Sequence, residues 1–536
     1  MHTRPSTPVG ADPEIRRRLG IFDLTDHRRA WIGALVLFAL AFTLRLWQLG
    51  SIHELIFDET YYVKDGWTIV HHGVEMSWPK DIDPAFESGD VHIYEDRGAY
   101  VVHPSLGKWL IGLPMLLLGP DSAWAWRLTN AILGSLTVPL IVFAGRRLMR
   151  STTVGLIAGL LLAVDGLHIV HSRTSLLDLP LTFFVLAAFA VLVVDRDRFR
   201  ARLAVAATEA RNSLPDDGGA NGHAAAASRI GPLQAGWRPW RLAAGVLLGM
   251  ACSVKWSGLY FLAAFGIMTV LWDWWARRAV RERHWARRGL VRDAIPAFFA
   301  MVGSALVVYV ASWTGWFVSA KGYLRHWAEE NGHSTGIGAL DALRSLWHYH
   351  VEAYTFHVGL DSEHPYMASP LSWPLMLRPT SFYYRNHPYG ENGCLVEKCS
   401  AQILAVGNPL IWWLGTLAVM VTIALVLLRR DSRAWPALMG LAGGYLPWVL
   451  LYSDRTIFTF YAVAFEPFLV LCLAYVLGLA IGPPGADRER RLAGGLFAAS
   501  ILTLIVLISA YFWPIWSGQV IPTGQWQWRI WLPTWI

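Results

Sequence analysis

A helical protein that crosses a membrane many times is the fold class this sequence predicts, and three observations carry the prediction. Hydrophobic residues make up 54% of the 536 and charged residues only 16%, with a mean hydropathy of +0.36, a balance foreign to soluble domains. Apolar runs of about 20 residues, the length that spans a hydrocarbon core, recur along the chain. Arginine clusters flank alternate ends of these runs, as the positive-inside rule requires. Membrane topology thus accounts for the net charge of +7 and the pI near 9.2, and nucleic acid is not an expected partner. The 29 tryptophans suit a bilayer interface, where an indole is half desolvated and its N–H still finds water.

Residues 1–30 form a cytoplasmic tail carrying Arg16, Arg17, Arg18, Arg28 and Arg29, ahead of a first span over 31–49 that is too long for a signal-peptide core. An outer loop follows over 51–123, too polar to cross, with the amphipathic piece 106–118 lying in the interface. Spans are expected at 124–145, 154–170 and 179–194. Residues 196–241 are then expected as a disordered cytoplasmic loop, rich in small and polar residues around Pro215, a composition that buries no core. The apolar stretch 242–275 has basic residues at both ends, which demands an even number of crossings, so it splits near Lys255-Trp256-Ser257-Gly258. A span at 294–313 closes a core of 31–313. After it comes a large outer loop at 314–402, spans at 403–428, 435–451, 458–481 and 496–513, and an outer tail over 514–536. The count is about eleven, with the N-terminus cytoplasmic and the C-terminus outside. No internal repeat is visible, and the polar groups gather at span ends rather than at the midplane; both features speak against a transporter. Cys394 and Cys399, close in sequence on the oxidising side, are expected to form a disulfide.

Chemistry concentrates at the outer ends. Phe57-Asp58-Glu59-Thr60-Tyr61-Tyr62 puts two adjacent carboxylates a few residues beyond a membrane exit, beside two tyrosines. Such a pair is either a solvated loop feature or a base beside a lipid-embedded substrate. His103-Pro104-Ser105-Leu106-Gly107-Lys108 reads as a helix-start turn with a lysine reaching headgroups, or as a phosphate clamp. Arg127 at a helix N-terminus needs an anion to offset the macrodipole: Asp121, a headgroup or a substrate phosphate. Asp165, His168, His171, Arg173 and Asp178 bunch together, with an Arg173–Asp178 ion pair and a site role as alternatives. Asp454-Arg455-Thr456, followed by Phe458, Phe460 and Tyr461, is either an interfacial loop or a wall of the same cavity. His348 to His364, with Glu352, His357, Asp361 and Glu363, offers metal-ligand types at a spacing that matches no zinc signature.

Together, the 57–62 and 103–108 motifs, Trp126-Arg127-Leu128 with Gly134-Ser135-Leu136-Thr137-Val138-Pro139, Ser172-Arg173-Thr174-Ser175-Leu176-Leu177-Asp178, and Arg455-Thr456-Ile457-Phe458 resemble the protein O-mannosyltransferases, and most of all the actinobacterial members. The series covers most of 31–513. His103-Pro104-Ser105 departs from the family's His-Pro-Pro, and the 314–402 loop is too short for the β-trefoil of eukaryotic relatives. The resemblance implies a GT-C glycosyltransferase fold in the plasma membrane with its active site outside. Its donor would be polyprenyl-phosphate mannose, and its acceptors Ser or Thr of secreted proteins met at the bilayer, beside the protein export machinery. It implies Asp58 as catalytic base. On chemical grounds Arg127, with His103 or Lys108, would hold the donor phosphate, since a phosphate leaves unprotonated and the reaction needs one base plus cations. Glu59, Tyr61, Tyr62, Arg173, Asp178 and Arg455 would place the acceptor or shape the site. No resident cofactor is expected, and a divalent cation is left open. A sister transferase that moves another lipid-linked sugar onto a glycan or glycolipid is the rival reading.

Overall fold

A computed structural model describes residues 10–213, 231, 233, 236–483 and 485–536. Helices dominate: α1 (Pro13–Leu19), α2 (His27–Leu46), α3 (Glu59–His72), α4 (Leu106–Leu118), α5 (Ala123–Met149), α6 (Thr152–Val164), α7 (Gly166–Ser172), α8 (Asp178–Asn212), α9 (Pro239–Val254), α10 (Gly258–Ala279), α11 (Trp285–Ser312), α12 (Gly338–Gly359), α13 (Pro409–Arg429), α14 (Trp435–Leu451), α15 (Glu466–Ile481) and α16 (Arg488–Ser517). Seven of these (α2, α5, α8, α10, α11, α13 and α16) are long and apolar enough to cross a bilayer, α6 and α7 form a pair bent by 62°, and α4, α9, α14 and α15 are shorter apolar helices. The expected break at Lys255 is where α9 ends and α10 begins. Faces bearing Trp31, Leu35 and Val36 on α2, or Phe298, Phe299, Leu306 and Val307 on α11, are exposed, the pattern of helices whose outer surface meets lipid.

Three expectations change. The loop expected to be disordered over 196–241 begins as helix, because α8 runs to Asn212 and Phe199 and Leu203 bury against α1; the part over 214–230 lies outside the described residues. The all-helical expectation gives way to a three-stranded antiparallel sheet of β1 (Thr380–Pro388), β2 (Lys398–Ala405) and β3 (Ile521–Pro522), in the order β1-β2-β3. Residues 403–405, expected inside a span, are its β-strand. The 514–536 tail is therefore not loose: β3 pairs with β2, the Trp526 indole donates to Gln402 Oε1 (2.7 Å), and the Trp535 indole donates to the Met376 carbonyl (2.8 Å). Cys394 and Cys399 do form the disulfide, across the turn of the β1–β2 hairpin.

Glycines set the closest packing. A Cβ on Gly112 of α4 would lie 2.1 Å from the Gly66 carbonyl oxygen of α3, and one on Gly66 would lie 3.0 Å from the Lys108 carbonyl oxygen. The two helices therefore meet backbone to backbone, which fixes α3 and the residues at its start. At the end of α9 away from Lys255, Arg238 and Arg241 pair with buried Asp195 and Asp273, while Arg277 pairs with Glu282 and Asp293. Charge is thus gathered at both ends of the bundle.

Gly112→Val should destabilise the protein by about 1–3 kcal/mol, because no flexible side chain can yield, whereas Gly266→Ala, with open space around it, should be neutral or slightly stabilising. Thermal unfolding of the two variants in the same detergent checks the contrast.

Candidate active site

Asp58 and Glu59 are neighbours with opposite fates. Phe57, with φ at +51°, turns the chain sharply in a conformation rare for a bulky residue; its ring is held by stacking on Phe382 (4.6 Å) and by edge contacts with Phe460 and Phe458. Asp58 then starts α3 through its backbone carbonyl, which accepts from Tyr61 and Tyr62. Its carboxylate takes no hydrogen bond among the described residues. Glu59, completely buried, has its carboxylate filled: Oε1 accepts from Arg127 Nε and the Ser175 amide (both 2.8 Å), and Oε2 from Arg127 (2.7 Å) and the Ile56 amide (3.1 Å).

Arg127 is the centre of that arrangement. Besides Glu59 it donates to the carbonyls of Leu49, Ile52 and Glu54, which accounts for all five guanidinium hydrogens. One turn along α5, Asn130 donates to the carbonyls of Thr174 and Leu176. One face of α5 thus ties the loop before Asp58 to the loop before Asp178. The anion demanded by an arginine at a helix N-terminus is the Glu59 carboxylate, and no donor is left over for a phosphate.

Lys108 is committed likewise. It is buried and bonded to Glu75 (2.7 Å), near Asp65 (3.6 Å), and it also donates to the His103 carbonyl. Burial, reinforced by Lys255, His357, Lys108 and Arg455, holds His103 well below its ordinary pKa, so it is a neutral ring stacked at 5.3 Å on His357 rather than a cation. Arg173 caps the end of α2 by donating to the carbonyls of Leu44, Arg45, Trp47 and Gln48. It does not pair with Asp178. Tyr61 is exposed at the surface, whereas Tyr62 is half-buried near His103.

What faces Asp58 is a different set of charges. Asp178, the first residue of α8, binds Lys255 with both oxygens (2.8 and 3.0 Å), and the Lys255 ammonium lies 4.5 Å above the Tyr461 ring. Arg455 lies over Tyr452 (5.4 Å), and its buried Nε has no partner among the described residues. Burial pushes the Asp58 carboxyl up to about 6, with Lys255 opposing the shift and Asp178 adding to it. Asp58, Tyr62, Asp178, Lys255, Tyr461, Arg455 and His103 therefore line one region. Lys255 was not singled out for it from sequence. The signal for Lys255 was present, since an ionisable residue between two apolar helices is a functional candidate by default. The histidine-rich stretch resolves into structural contacts: His357 donates to the Val102 carbonyl, and His348 stacks on Trp327 beside Glu352. Among the described residues no three His, Cys, Asp or Glu side chains converge to hold a metal ion.

A family model described as dolichyl-phosphate-mannose-protein mannosyltransferase matches residues 35–205 and 224–317, and one described as the C-terminal four-span region of protein O-mannosyltransferase matches 342–535. The polyprenol-phosphate-mannose–protein mannosyltransferase of Mycobacterium tuberculosis is 37% identical over 96% of this chain and 93% of its own. The chain belongs to the protein O-mannosyltransferase family. The enzyme of the same name from Corynebacterium glutamicum is 32% identical over 90% of this chain and 88% of its own. The fold is that of the Saccharomyces cerevisiae Pmt1–Pmt2 complex, solved with its sugar donor, at a TM-score of 0.69 and 15% identity over 98% of this chain and 95% of that one. The chain is therefore a membrane glycosyltransferase, as the motif series implied.

Removing Arg127 leaves a buried, unpaired Glu59, so Arg127→Ala should cost about 3–5 kcal/mol of stability. Arg127→Lys should restore little of it, because three ammonium hydrogens cannot reach the positions that the planar fork serves. Melting temperatures of the purified variants check both.

Proposed function

We propose that this enzyme transfers mannose from polyprenyl-phosphate mannose to Ser and Thr hydroxyls of exported proteins, with inversion at C1, and that Asp58 is the base. The observation that carries the reading is the free Asp58 carboxylate held opposite Lys255, with Arg455 near the Tyr461 ring that also neighbours Asp58, in a family of mannosyltransferases. The acceptor oxygen attacks C1 on the face away from the phosphate, the C1–O bond to phosphate breaks, and the hydroxyl proton passes to Asp58. Polyprenyl phosphate departs with one more negative charge than it carried in the donor. Arg455, with its unspent Nε donor, and Lys255, with a hydrogen beyond the two shared with Asp178, are the cations placed to stabilise that charge. The phosphate-binding role moves to them from Arg127, Lys108 and His103. Transfer to a Ser/Thr-rich peptide, run in parallel with a glycolipid acceptor, separates this function from that of a sister transferase: mannosylated peptide supports it, and mannose found only on the glycolipid refutes it.

The site faces the outside of the plasma membrane in this reading. The seven long helices, the bent pair taken as one span and three of the four shorter apolar helices (α9, α14 and α15) make eleven crossings, with α4 in the interface. Arg146 and Arg147, Arg277 and Arg278, Arg429 and Arg430, and Arg488 and Arg490 then fall at cytoplasmic ends, and every residue of the site falls at an outer one. Acceptors would arrive from the export machinery on that side.

Two outcomes follow from the geometry. Because Asp58 must be ionised to take a proton and its carboxyl stands at about 6, kcat/KM should be flat above that pH and fall about tenfold per unit well below it. A pH–rate profile checks this. Arg455→Ala should raise the KM for donor lipid at least tenfold for all acceptor peptides alike, with little change in melting temperature; steady-state kinetics with two unrelated peptides checks that it is the donor site that is lost.

A further inference from the structure

The β1–β2 hairpin has a free edge that begins beside Asp58. In the order β1-β2-β3, β1 is an outer strand, and among the described residues no strand or loop pairs with its outer side. Its backbone N–H and C=O groups there are open to a further chain, which is the usual template for strand addition. Residues 384–386 are exposed, so the edge is accessible there, and it runs inward to half-buried Ser381 and Tyr383 and buried Phe382 at the end nearer Asp58. Its register shifts between Ser381 and Tyr383, a bulge of the kind that re-aims side chains near active sites; Phe382 at that bulge stacks on Phe57, next to Asp58.

The edge is also held rigid. Tyr383 Oη and Arg385 donate to the two oxygens of Glu54 (3.5 and 2.9 Å), in the same loop that Arg127 gathers. At the far end Cys394 and Cys399 close the turn, and β3 secures β2 from behind. Nine residues of strand span about 30 Å at 3.3 Å each, enough to hold a peptide of similar length with one end at the base. A hydrophobic patch would suit lipid or a second copy of the chain. This edge offers instead a row of main-chain hydrogen bonds beside exposed Tyr384, Arg385 and Asn386, which suits an extended polypeptide of varied sequence.

We infer that the acceptor polypeptide binds as a further antiparallel or parallel strand on the outer edge of β1, presenting its Ser or Thr hydroxyl to Asp58 at the bulge. This rests on the proposed protein-mannosylating function and adds how its substrate is recognised: through the main chain, with side chains read only in passing. Such recognition explains how one site serves many proteins.

A backbone N-methyl scan of one acceptor peptide tests it, using full-length enzyme in detergent with polyprenyl-phosphate mannose. Strand addition predicts a period of two: methylation at alternate positions on one side of the Ser or Thr raises KM at least tenfold, and methylation at the intervening positions changes it less than twofold. Kd for the donor, measured without peptide on Arg385→Pro, should stay at the wild-type value while that variant's peptide KM rises. Uniform tolerance of N-methylation, or sensitivity without alternation, overturns the inference and leaves the function standing. No transfer to the unmethylated peptide removes the function and this inference with it.

Discussion

The buried pair of Glu59 and Arg127 is the interaction on which the arrangement depends. An ion pair out of water gains little over apolar packing unless its remaining hydrogen-bonding capacity is met. Here it is met in full: the guanidinium serves three carbonyls of the 49–54 segment as well as the carboxylate, and the carboxylate serves two amides from separate loops. The network draws the end of α2, the start of α3, the start of α5 and the α7–α8 link to one point. Asp58 is one residue away from that anchor, and its carboxylate has no hydrogen-bond partner among the described residues.

In the proposed mechanism, a structural and a reactive carboxylate placed side by side solve a problem of positioning. A base has to be held without being hydrogen-bonded, because bonds to the charged form lower its pKa and blunt it. Glu59 does the holding, Phe57 turns the chain in a left-handed conformation locked by aromatic neighbours, and Asp58 is desolvated enough to stand at about 6. Lys255 opposes that rise, and Asp178, which shares the ammonium, adds to it. In the proposed mechanism the same sharing keeps a cation available for the donor phosphate.

Much of this was legible in the chain. The long spans were readable because a hydrocarbon slab imposes length and apolarity on any helix that crosses it, although only seven helices and the bent pair meet that length where eleven crossings were expected, and the Lys255 break followed from arginines at both ends of one run. The acidic motif stood out because two carboxylates follow directly on a long apolar run, and the structure brings Asp58 near Lys255 and Asp178. The division of labour between the cations was not. Arg127, Lys108, Arg173, Lys255 and Arg455 look alike in a string, and only the fold reveals that the first three have their donors spent on Glu59, on Glu75 and on the end of α2. The sheet was missed for a related reason: residues 403–405 continue the apolar run of α13, and periodicity does not separate a buried strand from a helix start. The pairing of β3 with β2 joins segments more than a hundred residues apart, which no local pattern announces.

In the proposed mechanism the two neighbouring carboxylates divide reaction from architecture. Single-turnover mannose transfer and thermal melting, measured on the same preparations of Asp58→Asn and Glu59→Gln, test it most directly. Asp58→Asn should melt close to wild type yet transfer about 10²–10⁴ times more slowly, while Glu59→Gln should melt well below wild type and its folded fraction still transfer. Near-normal transfer by Asp58→Asn, or a Glu59→Gln enzyme of full stability that transfers nothing, would contradict it.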